Sequence, residues 1–445
     1  MPSKQLFKQT LNLITVALII ATSRDCPAAT LRNATLQIVS TNSAQIVISW
    51  QAKSAVPAPG LQIVPDYQLE KSSDFTNWTA FGALRIGAAN NQTLQTIDPV
   101  SNGPAFYRVK SIVDRPLAKL NQADLSHGEL AQADFFGAEF FAADLTAANL
   151  TGADLRAADL RFATLTDAVA DGADLFAVDA ISAVIDFASI KNADLSFANL
   201  EATDLFGATL RGSDLRSTIL TGADLRFTTL HQTLIDSHTR LDSKWIKIWQ
   251  LVNNQTTNSI FTNLDLSIAD IRSADMQGKN FSGSDFSSSS LAGADLRGAN
   301  FTNANLRFVI FNDALMDTNT VIEPKSRLIW EIVNQGAVGR DLHGTNLNNA
   351  FLADADMRNV NLTNTTMTLA VMEFANLGGG NLRSVNLTSA DCLGTIFTNA
   401  ILNSANFTGA DLTQANFLGA TTNGAIFNGA TFSQTIMPDG SIRNF

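Results

Sequence analysis

From residue 120 onward the chain repeats every five residues, a period that neither a helix nor a strand can use. Every fifth position from 125 to 235 is Leu, Phe, Ile or Ala, and 16 of these 23 are Leu. Two residues before each, the same 23 positions hold 16 Ala, with Gly128, Val178, Ser213 and four Thr making up the rest. Five residues advance a helix by about 500°, so successive Leu would spiral around it. In a straight strand an odd period sends alternate Leu to opposite faces. The remaining solution is a short extended piece with two inward residues, then a turn, repeated in one sense. Such a chain winds a tube whose coils rest on one another and share one core.

The phase shifts twice. Large central residues fall at 125–235, then at 261–316 (Leu266, Ile271, Met276, Phe281), then at 342–437 (Leu347, Leu352, Met357, Leu362). Both gaps span 26 positions, 235 to 261 and 316 to 342. Within them "TRLDSKWIKIWQLVNN" and "TVIEPKSRLIWEIVNQ" align at an offset of 81, pairing Thr239 with Thr320, Lys244 with Lys325, Trp249 with Trp330 and Asn253 with Asn334. Both read as short helices, with partial apolar stripes at Ile246, Trp249 and Leu251 or Val252, and at Leu328, Trp330, Ile332 and Val333. They either pack on their own tube or present Trp249 and Trp330 to a partner or a second copy.

The units "GADLR", "TGADL", "FTGADL" and "SFANL" resemble the A(D/N)LXX units of the pentapeptide-repeat family, over roughly 70% of the chain. The resemblance implies an all-β fold: a right-handed quadrilateral parallel β-helix of four units, or 20 residues, per coil. On that basis residues 119–235, 261–316 and 340–437 are three repeat blocks, 236–260 and 317–339 helical inserts, and 438–445 a cap beginning at Pro438. Cys392 falls in a central slot and is expected to be a buried, inert thiol.

The residue before each centre points outward. Positions 20 apart stack, so Asp134, Asp154, Asp174, Asp194 and Asp214 form one column, spaced about 4.8 Å apart as neighbouring strands are. Asp and Asn here also suit the turn, because their side chains bond nearby backbone N–H groups. Residues 121–235 hold 17 acids and six bases, a net of −11 equal to that of the whole chain, whereas the third block favours Asn at the same slot. The acidic face is therefore a candidate interaction surface. Over roughly 28 Å the whole first block carries about one net charge per 2.5 Å, against one per about 1.7 Å in duplex DNA. Some pentapeptide-repeat proteins resemble DNA in shape and charge and bind topoisomerases such as DNA gyrase, which supplies an alternative reading.

The N-terminal part differs. Lys4 and Lys8 precede an apolar run from Leu11 to Ala21, with small residues at Ala28 and Ala29, as in a cleavable signal peptide over 1–29. That run is short for a membrane span. Over 30–114, "TLQIVS", "AQIVISW", "YQLEKS", "LQTID" and "AFYRVKSIV" read as strands of a small β-sandwich, separated by Pro, Gly and Asn clusters. "LEKSSDFTNW" and "FYRV" resemble fibronectin-III-like or immunoglobulin-like modules of bacterial exported proteins. Trp50, Trp78 and Tyr107 are read as its core.

No chemistry stands out. Two cysteines, Cys26 and Cys392, and four histidines, His127, His231, His238 and His343, are scattered with no ligand spacing, so no metal or cofactor is expected. There is no GxSxG, HExxH, P-loop or dinucleotide fingerprint, and "LGGGNL" at 377–382 is too short a glycine run. Carbohydrate-active β-helices use outward carboxylates, but here the repeat places Asp everywhere and no acid–base pair can be singled out. A net charge of −11 argues against nucleic-acid binding. The sequence thus reads as an exported, non-enzymatic scaffold for a protein partner or envelope component.

Overall fold

Each five-residue unit closes on itself before it meets its neighbours. The N–H of the small inward residue donates to the carbonyl of the preceding central residue, as in Ala123 to Leu120 at 3.1 Å and Ala153 to Leu150 at 2.9 Å. The second residue after each centre takes a left-handed conformation, with φ of +56° at Gln122, +54° at Ala142 and +58° at Phe162. Glycine fills this slot at Gly152, Gly212 and Gly222, where it adopts positive φ at no steric cost. Elsewhere a side chain bears a strain of roughly 1–2 kcal/mol, which the coil-to-coil bonding must offset.

The computed structural model describes strand segments between residues 36 and 112, and residues 117–255 and 259–444. The signal-peptide reading of 1–29, and the side chains of Trp50, Trp78 and Tyr107, lie outside the described residues. The chain forms two compact units, Met1–Asp242 and Ser243–Phe445.

In unit 1, six strands come first: β1 (Leu36–Asn42), β2 (Gln45–Gln51), β3 (Asp66–Ser72), β4 (Thr79–Ala80), β5 (Thr93–Pro99) and β6 (Phe106–Ile112). They make two antiparallel three-stranded sheets, β1-β2-β5 and β4-β3-β6. The tube follows. Parallel bridges join residues 20 apart, from Lys119 with Glu139 through Asp194 with Asp214. Backbone bonds run both ways along it: Leu145 N–H donates 2.7 Å to Thr164 O on the next coil, and Asp144 N–H 2.8 Å to Ala123 O on the previous one. Four five-residue sides per coil make the section four-sided. The centres Leu145, Leu150, Leu155 and Leu160 and their partners Ala143, Ala148, Ala153 and Ala158 are all within 1% of full burial. Leu is central because it fills the tube; Ala stands beside it because a larger residue would crowd the corner.

The unit 1 tube ends where one side takes an extra residue, so that Ile219 bridges Arg240, 21 positions on. Asp236 pins this bulge. Its Oδ1 accepts from the backbone N–H groups of Ser217, His238 and Thr239, each at 2.9 Å. Thr239 Oγ1 in turn donates to Leu215 O at 2.9 Å.

Unit 2 repeats this device 81 residues later. Asn300 bridges Val321, Asp317 Oδ1 accepts from Gly298, Asn319 and Thr320 at 2.9, 3.1 and 2.9 Å, and Thr320 Oγ1 donates 2.9 Å to Leu296 O. Helices α1 (Ser243–Val252) and α2 (Pro324–Gln335) occupy equivalent places in the sequence. In unit 2 the stack resumes past α2, because Phe308 N–H donates 2.9 Å to Asn349 O, the partner that otherwise lies 19 residues on. The helix is looped out while the wall continues.

The buried helical faces differ from the stripes read in the sequence. On α1 they are Trp245, Ile248, Leu251 and Val252, and on α2 Ser326, Ile329 and Ile332. Trp245, Ile248 and Leu251 keep a helical spacing of three and match Ser326, Ile329 and Ile332 at the same offset of 81. Ser326 is admitted because its hydroxyl bonds Glu323 Oε1 at 2.7 Å. The chain closes with a two-strand hairpin, β7 (Thr435–Ile436) and β8 (Ile442–Arg443), with the Arg443 guanidinium 3.7 Å over the Phe432 ring. Among the described residues no helix is long and apolar enough to cross a membrane.

Cys392 is fully buried in its central slot, and burial pushes its thiol up, away from the reactive thiolate. In a Cys26→Ser background, a thiol reagent should label Cys392 only after denaturation; labelling of the native chain at the rate of a free thiol would contradict the inward placement.

Candidate functional site

The outward slots of unit 1 are filled by Asp for a local reason. Asp134, Asp154, Asp174, Asp194 and Asp214 each accept, through Oδ1, the backbone N–H two residues on, at 3.0, 3.1, 3.2, 2.9 and 3.0 Å. The carboxylate thus closes the turn that its unit needs, as short polar side chains do in turns. Parallel bridges hold the five in one column. The predicted column therefore exists, with one oxygen of each member engaged in its own corner.

Part of its charge is answered within the chain. In the triplet Asp-Leu-Arg the arginine folds back over the inward Leu onto its own aspartate. Arg156 Nε and Nη2 lie 2.9 and 2.6 Å from Asp154, and Arg156 Nε lies 3.4 Å from Asp174 on the next coil. Arg216 grips Asp214 in the same bidentate way, Arg161 grips Asp159, and Arg226 grips Asp224. These guanidinium contacts hold the four carboxyls below their usual range. All are solvent-facing, so solvent screening leaves each pair little weight in stability.

The surface also carries aromatic rings that the sequence reading passed over. Phe136, Phe141, Phe162, Phe176, Phe187 and Phe197 all lie at corners and are 36–60% exposed. They pair across coils: Phe141 with Phe162 at 5.5 Å, Phe176 with Phe197 at 5.4 Å, and Phe187 with Phe206 at 5.4 Å between centroids. The signal was available, since each falls one or two places after a centre, where the repeat is otherwise free to vary.

Neither predicted tryptophan stands free. Trp249 and Trp330 are half-buried, and the Trp330 indole N–H donates 2.6 Å to Ala314 O. Asn334 Nδ2 donates 2.9 Å to Phe311 O, so α2 is fastened to the wall of its own unit. Among the described residues no group of three or more His, Cys, Asp or Glu is arranged to hold a metal ion.

Comparison with known proteins places this geometry. The sequence profile of pentapeptide repeats matches residues 138–175, 198–234, 257–287, 280–317, 341–373, 367–403 and 400–438. No curated protein sequence matches. Among solved structures, HetL, a pentapeptide repeat protein involved in heterocyst differentiation regulation in the cyanobacterium Nostoc sp. strain PCC 7120, is 24% identical. That match covers 68% of this chain and 90% of HetL, with a TM-score of 0.21. A pentapeptide repeat protein of the Arabidopsis thaliana thylakoid lumen is 26% identical over 23% of this chain and 72% of its own, with a TM-score of 0.17. QnrB1, a plasmid-mediated fluoroquinolone resistance protein, is 16% identical over 46% of this chain and 89% of its own, also with a TM-score of 0.17. These superpositions are partial, whereas the repeat profile covers more than half of the chain, within the segments that form the coils. The chain belongs to the pentapeptide repeat family, and its tube is a right-handed β-helix.

Proposed function

We propose that the protein is an exported, non-catalytic scaffold that binds a basic protein partner through the acidic tube of unit 1. One observation carries this reading. Residues 121–235 hold 17 acids against six bases, ordered in outward columns on a regular frame, whereas residues 340–437 hold six acids and three bases. Ordered like charge on a preformed frame raises the local concentration of a cationic partner and speeds its encounter. Export rests on the Lys4–Lys8 and Leu11–Ala21 pattern, and the N-terminal strands are read as a sandwich module serving as spacer or adhesive accessory.

A DNA-like rod is the second reading of the same surface, and one observation disfavours it. Arg156, Arg161, Arg216 and Arg226 interleave positive groups among the aspartates, which a phosphate backbone does not do.

The test is binding of the full chain to oligo-lysine at low and moderate salt. Affinity should fall with salt and should drop about tenfold, roughly 1.4 kcal/mol, when Asp134, Asp154, Asp174, Asp194 and Asp214 are changed together to Asn. Binding that ignores both salt and these changes would remove the basis of the reading.

A further inference from the structure

One face of the unit 1 tube combines exposed aromatic corners with little compensated charge. Its outward column runs Asp124, Asp144, Thr164, Val184, Asp204 and Asp224, joined by parallel bridges. Carboxylates occupy both ends, and Thr164 and Val184 occupy the middle. The corner on one edge carries Phe141 and Phe162, with centroids 5.5 Å apart. The corner on the other carries Phe187, Phe206 and Phe227, at successive distances of 5.4 and 5.7 Å.

The fold does not need rings at these corners. The left-handed slot of Phe162 is filled by Ala142 one coil before and by Gly222 three coils after; that of Phe187 and Phe227 is filled by Ala147 and Gly207. Phe162, Phe187 and Phe227 hold φ of +58°, +57° and +57°, where a bulky side chain is disfavoured. Phe162 and Phe187 are nonetheless 54% and 55% exposed. The rings gain contacts with one another, and Arg161 lies 5.7 Å over Phe141, yet Phe162 and Phe187 stay both strained and more than half exposed, which points to a use outside the chain.

Charge selects the occupant. Asp167, Asp186 and Glu201 at the two corners add to the four aspartates of the column. Against these stands Arg226, already gripping Asp224 and lying 5.3 Å over the Phe206 ring. Arg161, at the first corner, bonds Asp159 and lies 3.7 Å from Asp179, both on the adjacent face. The Asp134–Asp214 column, by contrast, has Arg156 and Arg216 bonded along it.

We infer that this face docks an amphipathic segment of a partner protein, apolar at its centre and basic at both ends. Its apolar side chains would lie on Val184 between the aromatic corners, and its lysines or arginines would reach Asp144 at one end and Asp204 at the other, with their stems along the rings. The inference rests on the reading of unit 1 as an acidic binding surface and sharpens it to one face and one partner chemistry.

Two labelled peptides of equal charge separate the two readings by fluorescence anisotropy on the full chain at moderate salt. Both carry lysines at each end; one has a Leu-Phe-Leu centre and the other a Gly-Ser centre. The apolar-centred peptide should bind about tenfold tighter. The double variant Phe162→Gly/Phe187→Gly, whose glycines suit the positive φ, should lose that preference while still binding the Gly-Ser peptide. Phe197→Gly, at a corner bounding a different face, should keep it. Equal affinity of the unaltered chain for both peptides, or a preference that survives the double variant, overturns the docking face alone. Failure of both peptides to bind overturns the acidic reading with it.

Discussion

Leu205→Asp is expected to destabilise the unit 1 tube by more than about 4 kcal/mol, while the adjacent change Asp204→Asn shifts stability by less than about 0.5 kcal/mol. The two residues are neighbours in sequence and opposite in environment. Leu205 has no exposed surface, and its column places Ile185 on the coil before and Leu225 on the coil after. Inside the tube lies an apolar cavity of about 20 Å³, lined by Leu150, Leu155, Leu200, Leu205 and similar residues. Its volume would admit one water, but a water needs two or more polar partners and that lining offers none. A carboxylate at 205 would therefore lose its hydration without a replacement, on top of the roughly 1.5–3 kcal/mol lost with the Leu side chain. Urea unfolding followed by circular dichroism checks both variants. A loss below about 1 kcal/mol for Leu205→Asp would mean that the central slot is not the dry wall described above.

Most of the tube was legible because one physical constraint repeats. Leu155 and Ala153 must both face a dry interior, and five-residue spacing leaves one way to do so. The offset of 81 between the inserts was legible for the same reason, and the structure gives it content: Asp236 and Asp317 close the same bulge through the same donors. The phase of each helix was not legible. In ten or twelve residues that include Trp245, Ile246, Ile248, Trp249, Leu251 and Val252, several stripes of similar apolarity compete, and packing against neighbouring structure decides among them.

The site was legible in its carboxylates and opaque in everything that modifies them. Asp154 and Asp174 could be stacked from their spacing alone. That Arg156 turns back to Asp154 and reaches Asp174 depends on both side chains leaving the same side of the strand, around an inward Leu155. The corner phenylalanines were lost in the two variable positions of each unit, where a five-residue pattern averages over the differences between coils. Faces emerge only when the chain is read in steps of 20.

Phe407→Ala is expected to cost unit 2 about 3–5 kcal/mol. In the last coils Phe397, Phe407, Phe417 and Phe427 take central slots, with Leu402 and Leu412 between the first three, and rings from opposite walls meet across the tube. Phe407 has no exposed surface. It meets Phe397 and Phe417 edge to face, each at 5.7 Å, and stacks on Phe427 of the next coil at 5.1 Å with an interplanar angle of 3°. Removing the ring opens a void and breaks three aromatic contacts, each worth roughly 0.5–1.5 kcal/mol beyond its buried area. The wall cannot close over the void, because the coils on either side are held at strand spacing by bonds such as Phe407 N–H to Ile426 O and Leu387 N–H to Asn406 O, both 2.7 Å. Phe407→Leu should cost less, since Leu347 and Leu387 occupy the same column three coils and one coil earlier on comparable backbone. Urea midpoints for the two variants measure the difference. Phe397→Ala/Phe407→Ala should lose less than the sum of the single losses, because the first change already breaks the contact between them. Strict additivity, or an alanine variant no worse than the leucine one, would show that the rings fill the tube independently rather than as one interlocked stack.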